Sequence, residues 1–155
     1  MNRYKEMKDR HQAEVNAFPF GYAFGEDQFI EMMKGWRMCH GRDGKPTKND
    51  CSKIVSIGAG GYVRKTDLNA MHEMFDRQNR ELKDAVLADK EGTGFVYEMF
   101  RYEMANHEYG YTCDPNDTLM ACGLNMYQVQ KNAALTAGWI KAQNEIMREY
   151  EEDVV

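Results

Sequence analysis

The chain has 155 residues, of which 43% are hydrophobic and 29% charged, with a formal net charge of −5. This length suits one domain that buries a core without a disulfide or metal, and the negative charge disfavours a protein whose affinity comes mainly from neutralising phosphates. The charged start lacks the pattern of a secretory leader, and no apolar run is long enough for a membrane-spanning helix. We therefore expect a single globular, cytoplasmic domain over 1–155, without membrane contact and with its four cysteines reduced.

The first half of the chain predicts two helices, a loop and a hairpin. Apolar residues three and four apart predict helices from about residue 2 to 15 and from 26 to 37. The aromatic segment 18–24 contains a proline and is expected to be extended, with its rings anchored in the core. Polar residues and helix breakers over 39–52 predict a surface loop. Two β-prone runs on either side of the glycine-rich segment 58–61 predict a β-hairpin.

The second half predicts mainly helices. A long helix is expected to start at Thr66 or Asp67 and to end before Gly92. The segment 94–107 is apolar on nearly every side, which indicates a central, buried helix. After an irregular stretch, a short helix from Asp117 stops at Gly123, and Asn125 caps a last helix with a frayed acidic end at 149–155. The predicted fold class is α+β: a mainly α-helical single domain with a small antiparallel β-hairpin.

The glycine-rich segment Gly58-Ala59-Gly60-Gly61 resembles a phosphate loop only in composition. A phosphate loop has a glycine immediately before its lysine, but here Arg64 precedes Lys65. A dinucleotide-binding loop opens directly into a helix, whereas here a second β-prone run follows. The pattern therefore favours a plain hairpin turn, and an anion contact aided by Arg64 and Lys65 stays open as an alternative.

Few residues are spaced as metal ligands. Glu103 and His107 lie four residues apart, which would place both on one helix face, and His72 is a further candidate for a metal-dependent enzyme. The second histidine of a metalloprotease helix is missing. Cys39, His40 and Cys51 lack the paired cysteines and the fourth ligand of a zinc site. We predict no metal and no cofactor.

The region 117–141 has the order of a helix-turn-helix: a short helix, a glycine turn and a capped second helix. Its second helix carries few basic residues, only Lys131 and Lys141, although contacts with phosphates and bases normally need more. A nucleic-acid-binding regulator is therefore an alternative function that the net charge disfavours.

Three segments, 2–21, 56–65 and 99–109, are together similar to a small family of uncharacterised proteins from gut Firmicutes and their mobile elements. The resemblance spans most of the chain up to Leu124, and it departs in the loop 39–52 and in the tail after Leu124. It implies no activity, because none is known for that family.

The sequence favours a non-enzymatic protein-binding accessory protein of a mobile element or its host, with inhibition of a nucleic-acid-directed defence system as one such role. The chain lacks a recognisable catalytic motif but is rich in Met, Tyr and Phe, residue types that suit contact surfaces. The expected partner is a protein or ribonucleoprotein. The predicted contact residues are Tyr62, Arg64, Lys65, Tyr109 and Tyr111.

Overall fold

The structure is a computed structural model that describes residues 1–154. It is 67% helical and contains a small antiparallel sheet, so the predicted mainly helical α+β fold is confirmed. The helices are α1 (Arg3–Ala17), α2 (Glu26–Gly35), α3 (Lys48–Cys51), α4 (Leu68–Ala88), α5 (Phe95–Asn106), α6 (Tyr109–Thr112), α7 (Asn116–Ala121), α8 (Met126–Lys131) and α9 (Ala133–Val154). The strands are β1 (Gly21–Tyr22), β2 (Ile54–Gly58) and β3 (Gly61–Arg64). None of the helices between residues 1 and 154 combines the length and apolar character that a membrane crossing requires.

The contacts divide the chain into two compact units. The helical unit consists of Met1–Ala13 together with the chain from Gln78 onward, and the sheet unit is Glu14–Arg77. That the whole chain is one domain stays a prediction.

The core of the helical unit is built around α5, as its pattern of apolar residues predicted. Val96, Met99, Phe100 and Met104 are fully buried on this helix. Because these residues lie on more than one side of α5, the helix packs mainly against α9 and also against α6 and α7. The ring of Phe100 meets Trp139 of α9 edge to face, at 5.2 Å between centroids.

The loop between α4 and α5 lies directly on the first turns of α9. The Asp89 carboxylate accepts hydrogen bonds from the backbone N–H groups of Gly92, Gly94 and Val96, and these bonds fix the loop and the start of α5. A methyl group on Gly92 would lie 1.8 Å from the carbonyl oxygen of Ala134. This approach therefore depends on the missing side chain of Gly92.

The sheet unit contains the predicted hairpin and a third strand. The strand order is β1-β3-β2, and all neighbours are antiparallel. Ala59 and Gly60, the central residues of the hairpin turn, have φ of 51° and 75°, as a type I′ turn requires. Helix α2 packs on β3, where Phe29 and Tyr62 meet edge to face at 5.5 Å between ring centroids.

One predicted helix is wrong. The helix expected from Asn125 onward is two helices, α8 and α9, because Asn132 has extended backbone and its side chain caps α9 by accepting a hydrogen bond from the N–H of Leu135. The acidic end, 149–155, is helical as far as Val154, and Arg101 donates a hydrogen bond to Glu149 within it. That this end is frayed stays a prediction. Val155 lies outside the described residues.

Candidate interaction surface

Three of the residues predicted to contact a partner lie in β3 or directly after it. Tyr62 and Arg64 are half-buried. The Arg64 guanidinium lies over the Trp36 ring, 5.7 Å from its centroid, and Arg64 Nε donates a hydrogen bond to Asp67 at 2.8 Å. Lys65 is exposed. Of the three, Lys65 is therefore the one most available to a partner, and an anion contact through Arg64 would compete with Asp67.

The other two predicted contact residues, Tyr109 and Tyr111, lie on α6 but have opposite environments. Tyr109 is 5% exposed and its ring meets Trp139 edge to face, so it is part of the core. Burial also raises the pKa of the Tyr109 hydroxyl. Tyr111 is 76% exposed. Alternate faces of one short helix thus separate a core residue from a surface residue.

An exposed apolar surface lies at the hairpin turn. It consists of Tyr22, Phe24 and Ile57, which are 58%, 77% and 42% exposed, and we call it the turn surface. Tyr22 pairs with Gly61 in the sheet, and a methyl group on Gly61 would lie 2.9 Å from Ile57 Cγ1. A methyl group on Gly60 would lie 2.5 Å from Cε1 of Phe24. The two glycines thus let the side chains of Phe24 and Ile57 lie close to the turn.

The expectation that the aromatic rings of 18–24 anchor the core is wrong for Tyr22 and Phe24. Phe18 and Phe20 are half-buried and pack against each other at 4.7 Å between centroids. Tyr22 lies on an outer strand of only two residues, and within residues 1–154 no further strand pairs with it on that side.

A buried polar cluster is centred on Glu103, which is 1% exposed. Its Oε1 accepts hydrogen bonds from the Tyr4 hydroxyl at 2.7 Å and from Lys8 Nζ at 2.8 Å, and its Oε2 lies 3.3 Å from His107 Nε2. Burial, together with the bond to Glu103, raises the pKa of Tyr4 well above its ordinary value. The cluster joins α1 to α5, and its buried carboxylate is compensated by Lys8.

The structure brings Glu103 and His107 together, as their spacing predicted, but not His72. His72 is exposed on α4 in the sheet unit, whereas the cluster belongs entirely to the helical unit. In residues 1–154, no group of three His, Cys, Asp or Glu side chains is arranged to hold a metal ion. The contacts of Glu103 therefore favour a structural role.

The loop 39–52 is organised by Asp50. Asp50 is fully buried and accepts hydrogen bonds from the backbone N–H groups of His40 and Thr47, each at 2.9 Å. The hydrogen bond from Thr47, followed by that from His40, holds the pKa of Asp50 well below its usual range. His40 Nδ1 also lies 2.6 Å from the carboxylate, so this histidine already has a partner.

The helix-turn-helix arrangement expected over 117–141 is altered by the break at Asn132. The element that follows the glycine turn is α8, with six residues, and the two lysines lie on different helices. Each ammonium group lies over a tyrosine ring: Lys131 over Tyr127 at 5.3 Å and Lys141 over Tyr97 at 4.0 Å. A recognition helix in this region stays a prediction, but α8 is shorter than the helix expected and carries only one of the two lysines.

Fold and surface together define a small, mainly helical α+β protein with an exposed apolar surface at the turn of a three-stranded sheet. No curated protein and no solved structure matches the chain. The chain belongs to DUF7659, a family of unknown function, whose model matches residues 3–145. The match extends past Leu124, where the resemblance noted from the sequence ended, and it includes the loop 39–52.

Proposed function

We propose that this member of DUF7659 is a non-enzymatic binding protein that contacts a protein partner through the turn surface. The observation that carries the proposal is the grouping of Tyr22, Phe24 and Ile57 around one turn, where all three are exposed. Single exposed apolar residues are common on soluble proteins, but contiguous ones mark sites of interaction. Tyrosine and phenylalanine are also enriched at the centres of protein interfaces.

The backbone under the turn surface is held in place, which favours binding. The N–H of Ala23 donates to the carbonyl of Gly60 at 2.8 Å, and the N–H of Phe24 donates to Gln28 Oε1 at 2.8 Å. Because these bonds already fix Phe24 against the turn, less conformational entropy is lost when a partner docks.

The biological setting that we propose rests on the sequence. The resemblance to proteins of gut Firmicutes and their mobile elements suggests an accessory role for a mobile element or its host, including inhibition of a nucleic-acid-directed defence system. Such an inhibitor can act by covering its target and needs no catalytic groups. With a net charge of −5, contact with the protein part of a ribonucleoprotein is favoured over contact with its RNA.

The test compares two double variants as baits. Phe24→Ser/Ile57→Ser removes most of the turn surface, and Leu87→Ser/Met120→Ser removes two exposed apolar residues elsewhere. Lysate of the source organism is passed over each immobilised protein, and retained proteins are quantified by mass spectrometry. We expect a partner that the wild type and the control variant retain in stoichiometric amount and the turn-surface variant loses. Equal retention by all three proteins, or no stoichiometric partner, contradicts the proposal.

A further inference from the structure

An open groove runs beside the turn surface, between Tyr22 of β1 and one side of α2. Its volume is about 580 Å³, and its lining residues are Tyr22, Asp27, Gln28, Glu31 and Met32. The lining is mainly apolar, with the Tyr22 ring at one side and Met32 in the lining. Two carboxylates border this apolar surface.

The carboxylates of the groove are one helical turn apart. Asp27 and Glu31 are exposed and lie at i and i+4 of α2, so both face the same side of the helix. In residues 1–154, Asp27 has no ion-pair partner, and Glu31 pairs with Lys34 at 3.4 Å on the surface. With Glu26, the helix has three acidic residues against one lysine. The charged side chains that line this groove are therefore both acidic.

We infer that the groove takes a cationic segment of the protein partner, with an arginine or lysine stem on Tyr22 and Met32 and its charge near Asp27 and Glu31. This inference rests on the proposed function, because it names the chemistry of the partner that the turn surface binds. An exposed aromatic ring attracts a cation through its face, and a carboxylate within reach adds a charge-assisted hydrogen bond. Long cationic side chains also place their methylene stems on apolar surface while the charge stays in water.

The same charges argue against three other occupants. A nucleic-acid backbone would bring its phosphates against Asp27 and Glu31, and the like charges repel. An acidic or purely apolar segment would leave the carboxylates without compensation. The negative groove next to the apolar turn surface thus fits a segment that alternates cationic and apolar residues.

The experiment uses the full chain and a defined probe, a short fluorescein-labelled peptide of alternating arginine and leucine. Two control peptides carry glutamate or glutamine in place of arginine. Binding is followed by fluorescence anisotropy at low and at high salt, for the wild type and for two variants of equal net charge. Asp27→Asn/Glu31→Gln neutralises the groove, and Glu73→Gln/Asp76→Asn neutralises two exposed carboxylates on α4.

We expect the arginine peptide to bind the wild type and the α4 variant alike, and to bind the groove variant about five-fold more weakly, as the loss of two partly exposed ion pairs implies. Salt should weaken binding to the wild type and have little effect on the groove variant. Equal loss in both variants shows general attraction to an acidic protein and overturns the inference. Equal binding of the glutamine peptide, or self-association of the chain that the groove variant abolishes, overturns it as well.

The two proposals fail in different ways. If a natural partner is lost with Phe24→Ser/Ile57→Ser but retained by Asp27→Asn/Glu31→Gln at every salt concentration, the turn surface binds and the cationic segment is refuted. If the turn-surface variant retains every partner, the proposed function itself is refuted. Circular dichroism spectra that match the wild type establish that each variant is folded.

Discussion

The contact between Gly92 and α9 allows a sharp prediction for Gly92→Ala. Gly92 has φ of 81°, a conformation that costs an alanine about 1 kcal/mol. The added methyl group would lie 1.8 Å from a backbone carbonyl, that of Ala134, which cannot rotate away as a side chain could. The loop or α9 must therefore move.

The expected loss of unfolding free energy in Gly92→Ala has two parts, the cost of the backbone conformation and the cost of the close contact with Ala134. Gly123→Ala is the matched control, because Gly123 has φ of 69° but open space where the methyl group would be. We expect the control to lose about 1 kcal/mol of unfolding free energy. Gly92→Ala should lose about 3 to 5 kcal/mol, since overpacking adds about 1 to 3 kcal/mol and displacement weakens the hydrogen bond to Asp89.

Urea unfolding followed by circular dichroism measures both losses. The predicted difference in unfolding free energy should place the melting temperature of Gly92→Ala roughly 10 °C below that of Gly123→Ala. If both variants lose the same free energy, the close approach of the loop to α9 does not exist as described. A matching loss would leave only the backbone conformation of glycine to explain both.

Three further predictions concern buried groups. Glu103→Gln should lower the unfolding free energy by about 2 to 3 kcal/mol, because the hydrogen bonds of its charged carboxylate are buried. A shift of the urea midpoint as small as that of a surface substitution would contradict this. In thiol labelling at mildly alkaline pH, Cys51 and Cys113 should react at once because they are exposed. Cys122 should react only when the protein unfolds, because burial raises its pKa to about 12. Rapid reaction of Cys122 in folded protein would refute its burial. Asp50→Asn should lower the unfolding free energy at neutral pH. Because the pKa of Asp50 is depressed in the folded protein, the stability difference between wild type and variant should shrink as the pH falls below the ordinary pKa of 3.8. A difference in unfolding free energy that persists unchanged into stronger acid would contradict the hydrogen bonding described.

Much of the fold could be predicted because local pattern and tertiary packing agree. Apolar residues on nearly every side of 94–107 predicted the central helix α5, which is buried as expected. The glycine-rich segment predicted a hairpin, and the turn residues adopt the positive φ that this requires. The break at Asn132 was missed because the apolar spacing continues from α8 into α9, although an asparagine three residues before Leu135 is itself a signal for a helix start.

The turn surface could not be predicted from the sequence in the same way. The exposure of Tyr22 depends on strand order, and Phe24 lies against Gly60, which is far away in sequence. Hydrophobicity alone predicts that such rings are buried, because it does not include which neighbours the fold provides. The groove depends on the same information, since Asp27 and Glu31 by themselves indicate only the exposed side of a helix.

Strand β2 has consequences for the behaviour of the protein at high concentration. Within the described chain it pairs with β3 alone, so one row of its backbone hydrogen-bonding groups faces outward along an apolar sequence. Such an edge can recruit strands from other molecules and start aggregation. The irregular register between Ser56 and Gly58 interrupts this row of hydrogen-bonding groups after a few residues. It therefore limits the length over which a strand from another molecule can pair with β2. A substitution that restored regular pairing there would thus lengthen the edge that is open to pairing and increase the tendency to aggregate.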